Sequence, residues 1–378
     1  MIEYLFISAI FLIFYAYVGY PVSLYIIGFI HKREVKKTLY YPDVTIIITA
    51  HNEENRIERK IKNTLEVTYP REKLQIMIVS DGSTDNTVKL AGHYRKDGIE
   101  ILAIETRKGK ENAQKEAVLK SKGNIIVFTD VATILDPSGI EQIVSNFADP
   151  KIGCVSSEDR LTAPDGKPGG EGFYVRYEMW LRRLEARVNS LVGLSGSFFA
   201  ARKSVCQDFS GDMQSDFRTL LNCVKMGLRG VCDPNAPGYY QDITDRNREF
   251  GRKVRTVLRG LTVFFQHMEF LNIFKYGVFS YQYFCHKLLR WLVPIFLCVL
   301  FISNLIISFN RYIYFIIFLL QLLFYVLAIY GLRKNNSISS VFLKIPTYFL
   351  TVNTSIIVAW WQYIRGQRVV MWTPSERL

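Results

Sequence analysis

Residues 4–30, YLFISAIFLIFYAYVGYPVSLYIIGFI, carry no charged side chain. Such a run has no face for water, whereas about 20 apolar residues in a helix cross a bilayer. It is too long, and too poor in small residues at its end, for a cleaved leader, so residues 1–32 read as a retained membrane helix. The basic cluster HKREVKK follows at once and puts this end of the helix in the cytoplasm. Three further apolar stretches lie at 291–309, 312–331 and 341–361. The first two read as spans. The third contains Lys344, Pro346, Asn353 and several hydroxyls, and either spans or dips in.

Between these stretches lies a middle, residues 40–250, of soluble-protein composition. Basic segments flank it, HKREVKK before and HKLLR (286–290) after. The chain therefore reads as a multi-pass protein of the cytoplasmic (inner) membrane with its middle domain in the cytoplasm. Residues 251–290 mix Arg, His, Glu and Lys with bulky apolar side chains, which suits amphipathic helices lying in the interface. Residues 291–364 form the C-terminal membrane region, and 365–378 a basic tail. One amino-terminal and three carboxyl-terminal spans leave that tail outside, whereas its charge places it inside. The six cysteines show no CxxC pair and no histidine spacing for zinc, so they read as free and structural. The net charge of +13 suits anionic lipid beside a membrane anchor; membrane lipids, and no nucleic acid, are the expected partners.

The middle domain alternates strands and helices. VTIIITA (44–50), LQIMIVS (74–80), IEILAIE (99–105) and NIIVFTD (124–130) are short apolar or β-branched runs, as buried parallel strands are. Between the first two, Ile57, Ile61 and Leu65 mark one face of a helix. DNTVKLAGHYRK predicts a second helix, capped by Ser83 or Thr84, and a Lys-rich helix spans 111–121. The fold class is α/β with a mainly parallel sheet.

In such sheets ligands bind beyond the carboxyl ends of the strands. The first strand is followed by HNEE (51–54), the second by DGSTDNT (81–87), and the fourth ends in Asp130. An acid plus small polar residues at these positions can grip a nucleoside through its ring N–H and ribose hydroxyls; the bland alternative is a turn and a helix cap. Asp130 poses the sharper question. Where a second acid would complete a metal clamp stands Ala132. Asp130 either binds a divalent cation together with substrate phosphates or caps a strand end and meets the ribose. Thr133 and Asp136 are candidate helpers, although Asp136-Pro137 looks like a helix start.

The order of these segments resembles family 2 glycosyltransferases: NEE after one strand, DGSTD after the next, RKGKENA (107–113), then Thr-Asp after a strand. GLSGSFFAARKS (193–204) is similar to the family's acceptor-side segment. SDFRTLLNCVKMGLRGVCDPNA (215–236) is similar to its helix bearing the catalytic acid, and EFGRKVRTVLRG (249–260) to its basic stretch. With apolar stretches at both ends, the resemblance is to the membrane-bound exopolysaccharide branch, which includes hyaluronan, cellulose and poly-N-acetylglucosamine synthases.

The resemblance implies a GT-A-like nucleotide-sugar domain. Ala50, His51 and Glu53 would line the nucleobase pocket, Asp81 would accept from base or ribose, and Lys110 would approach the phosphates. Asp130 matches the first acid of the Asp-X-Asp motif and would bind Mg²⁺ or Mn²⁺. Asp216 would be the base of an inverting single displacement, the bland reading being a helix cap. Gly196 and Ser197 fall on the acceptor side. Arg252 and Arg255 match the ends of the Gln-X-X-Arg-Trp element and suit a diphosphate; Thr256 stands at the tryptophan position. The implied partners are a nucleotide-sugar, a UDP-sugar by family habit, and a lipid-linked or polysaccharide acceptor. The implied function is sugar transfer in surface-glycan assembly. Two alternatives stand beside it: a processive synthase that translocates its product, and an inactive membrane scaffold, which Ala132 and Ser215 motivate.

Overall fold

A computed structural model describes residues 1–162, 173–206, 214–241, 245–334 and 340–369. The chain divides into two compact units. One is built from Met1–Ser23 and Asp245–Arg368, the other on Leu24–Thr244.

Among the described residues of the second unit the strands form one eight-stranded sheet, in the order β3-β2-β1-β4-β7-β6-β8-β5. β1 is Val44–Ala50, β2 Leu74–Asp81, β3 Ile99–Ile104 and β4 Ile125–Asp130. These four run parallel. β1 lies between β2 and β4, and all seven of its residues are buried, which explains why it is β-branched along almost its whole length. β5 is Ile134–Leu135, β6 Ile152–Thr162, β7 Phe198–Arg202 and β8 Arg229–Gln241. β7 is antiparallel to both β4 and β6. β4 and β6 therefore point the same way, and their carboxyl ends open on one edge.

Helices cover the sheet. Ile57–Leu65 buries Ile57 and Ile61, two of the three positions its periodicity singles out, and leaves Leu65 half-buried. The helix after β2 begins at Thr87 rather than after Ser83 or Thr84. Asp85 Oδ1 accepts the Thr87 amide at 3.0 Å, and the Ser83 hydroxyl is engaged with Ser80 at 2.8 Å instead. The cap position is Asn86 rather than Ser83 or Thr84, and the acid before it takes the first helical amide. Asp136 behaves as a helix start: its carboxylate accepts from the Ser138 amide and hydroxyl, just before the Gly139–Ser145 helix. Ser138 thus engages the Asp136 carboxylate at the helix start. Among the described residues the six cysteines form no disulfide.

In the first unit, among the described residues of the chain, four helices are long and apolar enough to cross a membrane: Ile2–Ile30, which runs on past the unit's edge, Val278–Ser308, Tyr312–Arg333 and Phe342–Ile364. Leu319, Leu320, Leu323 and Val326 are exposed, as lipid-facing side chains are. The second of these helices starts at Val278, so HKLLR and the residues before it belong to a helix continuous with the span. Arg290 is buried there and stacks on the Tyr17 ring, which accounts for a cation inside the helix. The stretch from Val341 to Ile364 is one unbroken helix, with no backbone break that would fold it back. Its Trp360 indole donates to the Trp291 carbonyl at 2.9 Å. Residues 370–378 of the basic tail lie outside the described residues.

Candidate active site

The loops after β1 and β2 hold each other. The Asn52 amide donates to the Ser83 hydroxyl, Asn52 Oδ1 accepts the Thr84 amide, and the Glu54 amide donates to Asp85. Asn52 sits at φ 51°, a left-handed conformation that asparagine tolerates. His51 Nδ1 lies 2.7 Å from the Asp81 carbonyl oxygen. Ala50 ends β1 fully buried. The Glu53 carboxylate is tied to Arg56 at 2.7 Å. Burial raises its proton affinity, Arg56 opposes that, and Asp130 and Asp85 add to it, which places Asp130 in the same neighbourhood.

Asp81 is fully buried. Its two oxygens accept the amides of Lys108 and Gly109, each at 2.8 Å. Gly82 follows at φ +60°, with a hypothetical Cβ only 2.6 Å from the Arg107 amide nitrogen, so the turn after β2 admits no side chain. In this structure Asp81 spends its carboxylate on shaping the 107–109 loop.

That loop delivers Lys110, the first residue of the Lys110–Lys120 helix. Lys110 Nζ lies 2.5 Å from Asp130 Oδ1 and donates to the Gly196 carbonyl at 3.0 Å. The Asp130 amide donates to the Ser197 carbonyl at 3.0 Å. Asp216 stands on the far side of the same turn, where a Cβ on Gly196 would come within 2.9 Å of its Oδ2. The segment 195–197 thus gathers Lys110, Asp130 and Asp216. Asp216 is not the helix cap: Gln214 holds that position, and Asp216 lies in the first turn with Oδ1 accepting the Phe217 amide at 2.9 Å.

Two participants were missed in the sequence. Lys60 is fully buried and donates to the Thr129 hydroxyl at 3.0 Å and the Thr133 carbonyl at 2.6 Å, on either side of Asp130. Burial pushes its amine down to about 7, against the pull of Asp130. Its signal was its place one helical turn after Ile57, on the buried face. The Thr133 carbonyl serves Lys60, while the Thr133 hydroxyl is buried without a hydrogen-bond partner. The second, Asp159, lies near the carboxyl end of β6 and accepts the Ser195 hydroxyl at 2.6 Å.

Arg252 and Arg255 belong to the other unit, on the Arg246–Gln266 helix. Burial lowers the proton affinity of Arg255, and the like charges of Arg259 and Arg252 add to this. Their assignment to a diphosphate rests on sequence. Among the described residues no three His, Cys, Asp or Glu side chains cluster as a metal cage would. Asp130, a quarter exposed, still fits a cation held mainly by substrate, because Mg²⁺ keeps several waters and needs only one or two protein carboxylates.

Residues 45–209 match the protein-family model for glycosyl transferase family 2. A poly-β-1,6-N-acetyl-D-glucosamine synthase of Staphylococcus aureus (strain MSSA476) is 28% identical over 232 residues, 56% of this chain and 56% of that protein. The protein of the same description from Staphylococcus epidermidis is 22% identical over 169 residues, covering 44% and 40%. The chain thus spans about half the length of the curated relatives it matches. The solved mannosyltransferase PcManGT from Pyrobaculum calidifontis, in complex with GDP-Man and Mn²⁺, superposes with a TM-score of 0.75 at 19% identity, over 97% of this chain and 100% of that one. At that identity the likeness shows the fold.

Proposed function

We infer, since residues 45–209 match the model for glycosyl transferase family 2, that the chain is an inverting membrane-bound glycosyltransferase. It moves a sugar from a nucleotide-sugar, a UDP-sugar by family habit, onto a lipid-linked or growing polysaccharide acceptor in surface-glycan assembly. The observation that carries this reading is the 195–197 turn, which brings a cation, a strand-end carboxylate and a second carboxylate to one place. The staphylococcal relatives, named as polysaccharide synthases, support the product class.

The acceptor hydroxyl oxygen bonds to the anomeric carbon as the bond from that carbon to the diphosphate breaks on the opposite face. The hydroxyl proton passes to Asp216, which serves as general base. Lys110 keeps a cation beside Asp130, where phosphate charge is expected. Asp130 would hold Mg²⁺ or Mn²⁺; when bound, the metal would offset the charge of the leaving diphosphate. The apolar helices anchor the chain, and Lys32, Arg33, Lys36 and Lys37 favour a cytoplasmic face for the domain that follows.

The names of the relatives also favour a second reading, a processive synthase that translocates its polymer. Thr256, where chain-extending members carry tryptophan, ranks it lower. Incubating membranes with radiolabelled nucleotide-sugars separates the readings. A short lipid-linked product supports transfer to a lipid acceptor, and a long polymer supports the synthase. No product from any donor sinks both and leaves an inactive scaffold.

A further inference from the structure

Asp159 lies near the carboxyl end of β6 and has no part in the chemistry described above. Phe199 of β7 pairs with Phe128 of β4 on one side and with Ser156 of β6 on the other. Asp159 therefore emerges on the same sheet edge as Asp81 and Asp130, across β7 from the latter, where ligands of such sheets bind.

Its Oδ1 accepts the Ser195 hydroxyl at 2.6 Å and the Ser197 hydroxyl at 3.3 Å. The two hydroxyls lie 2.9 Å apart, and the Ser195 amide is held by the Ser156 hydroxyl at 2.8 Å. One carboxylate thus grips both ends of a three-residue turn, through charge-assisted bonds that are about twice as strong as neutral ones. The turn has three outward duties. Its Ser197 carbonyl takes the Asp130 amide, its Gly196 carbonyl takes Lys110, and the bare Cα of Gly196 leaves room beside Asp216 Oδ2.

We propose that Asp159 is a positioning residue for sugar transfer: by clamping Ser195 and Ser197 it sets the register between the donor-side pair Lys110–Asp130 and the base Asp216. Asp159 itself touches no reacting atom. This rests on the glycosyltransferase reading for its activity arm only. The lever is geometric, since a misplacement of about 1 Å between reacting groups costs on the order of 10²-fold in rate.

The test uses the full chain in lipid nanodiscs, as wild type, Asp159→Ala, Asp159→Asn and the double variant Ser195→Ala/Ser197→Ala. Turnover, affinity for UDP and GDP with MnCl₂, and melting temperature are measured on each. Asp159→Ala and the double serine variant should lower turnover at saturating donor by about tenfold or more and weaken the nucleotide that binds. Asp159→Asn, whose amide oxygen still accepts from both serines, should recover most of both. A lower melting temperature with turnover per folded molecule within about twofold of wild type overturns the proposal, and so does an Asn variant as impaired as the Ala variant. If the wild type binds a nucleotide but transfers no sugar, the functional reading fails and the affinity arm alone decides: unchanged affinity in Asp159→Ala overturns the clamp. A wild type that binds neither nucleotide overturns both.

Discussion

The ends of β2 and β4 each carry an aspartate, and the two are held in opposite ways. Asp81 is sealed from solvent, and both of its oxygens accept backbone amides of the neighbouring loop. Asp130 is a quarter exposed, and its Oδ1 meets a buried cation, Lys110, which the Gly196 carbonyl also holds. The first arrangement fixes a loop; the second leaves a carboxylate available to a ligand. A strand-end acid on the binding edge can thus work by building the pocket wall or by facing into it, and hydrogen-bond accounting tells the two apart.

The third acid sharpens this contrast with the largest effect. Asp216 resembles Asp130 in facing the turn, with Oδ2 toward Gly196. Asp216→Asn keeps the size and removes the proton acceptor. Turnover is expected to fall by roughly 10²-fold or more, in kcat, with nucleotide affinity within about threefold. An active Asn variant would take Asp216 out of the mechanism.

Next comes the contrast itself. Asp81→Ala strands the Lys108 and Gly109 amides and is expected to cost about 1–3 kcal/mol of stability, seen as a lower melting temperature together with weaker nucleotide binding. Asp130→Ala should leave the melting temperature nearly unchanged and abolish turnover. A stable Asp81→Ala variant that merely loses nucleotide would make Asp81 a direct ligand, and the distinction between the two strand ends would collapse.

The metal is a smaller lever, because Asp130 shares it with substrate phosphates. EDTA should remove turnover and Mn²⁺ or Mg²⁺ restore it, while Ala132→Asp retains or raises metal affinity by supplying a second carboxylate. Turnover that survives EDTA would make Asp130 a ribose ligand instead.

The parallel half of the sheet was legible because fully buried strands must be apolar throughout and stop at polar turns; VTIIITA and NIIVFTD can be little else. The other half hid itself. IGCVSSEDRLT mixes small, hydroxyl and charged residues, and β8 contains Pro234 and Pro237, which count against a central strand. A shift in register between β6 and β8 at Ser157 and Glu158 accommodates them. With β6 unread, Asp159 could not be recognised as a strand-end acid. The candidate residues Lys110, Asp130, Gly196, Ser197 and Asp216 could be named from the order of motifs. That they meet at one turn depends on β7 lying against β4, which no local pattern encodes.

Lys60 offers the finest test, because it lies beneath Asp130 and not beneath Asp81. Its amine is fully buried and bonded to the Thr129 hydroxyl and the Thr133 carbonyl. Burial lowers its proton affinity from 10.5 to about 7, whereas in the unfolded chain it titrates as an ordinary lysine. Between those values the unfolded chain binds more protons than the folded one, so stability rises with pH across that window, by at most about 1.4 kcal/mol per pH unit. Below about pH 7 both states are protonated and the contribution is flat. Lys60→Met keeps most of the stem and removes the titrating group from both states, while the buried cysteines and tyrosines titrate alike in the two proteins. The difference in stability between wild type and Lys60→Met should therefore grow in favour of wild type from pH 7 to pH 9 and stay constant from pH 5.5 to pH 6.5. A difference that is flat throughout means that Asp130 keeps the ammonium charged in the fold. The β4 end would then hold a permanent buried ion pair, and Asp130 would be less free for a ligand than its exposure suggests.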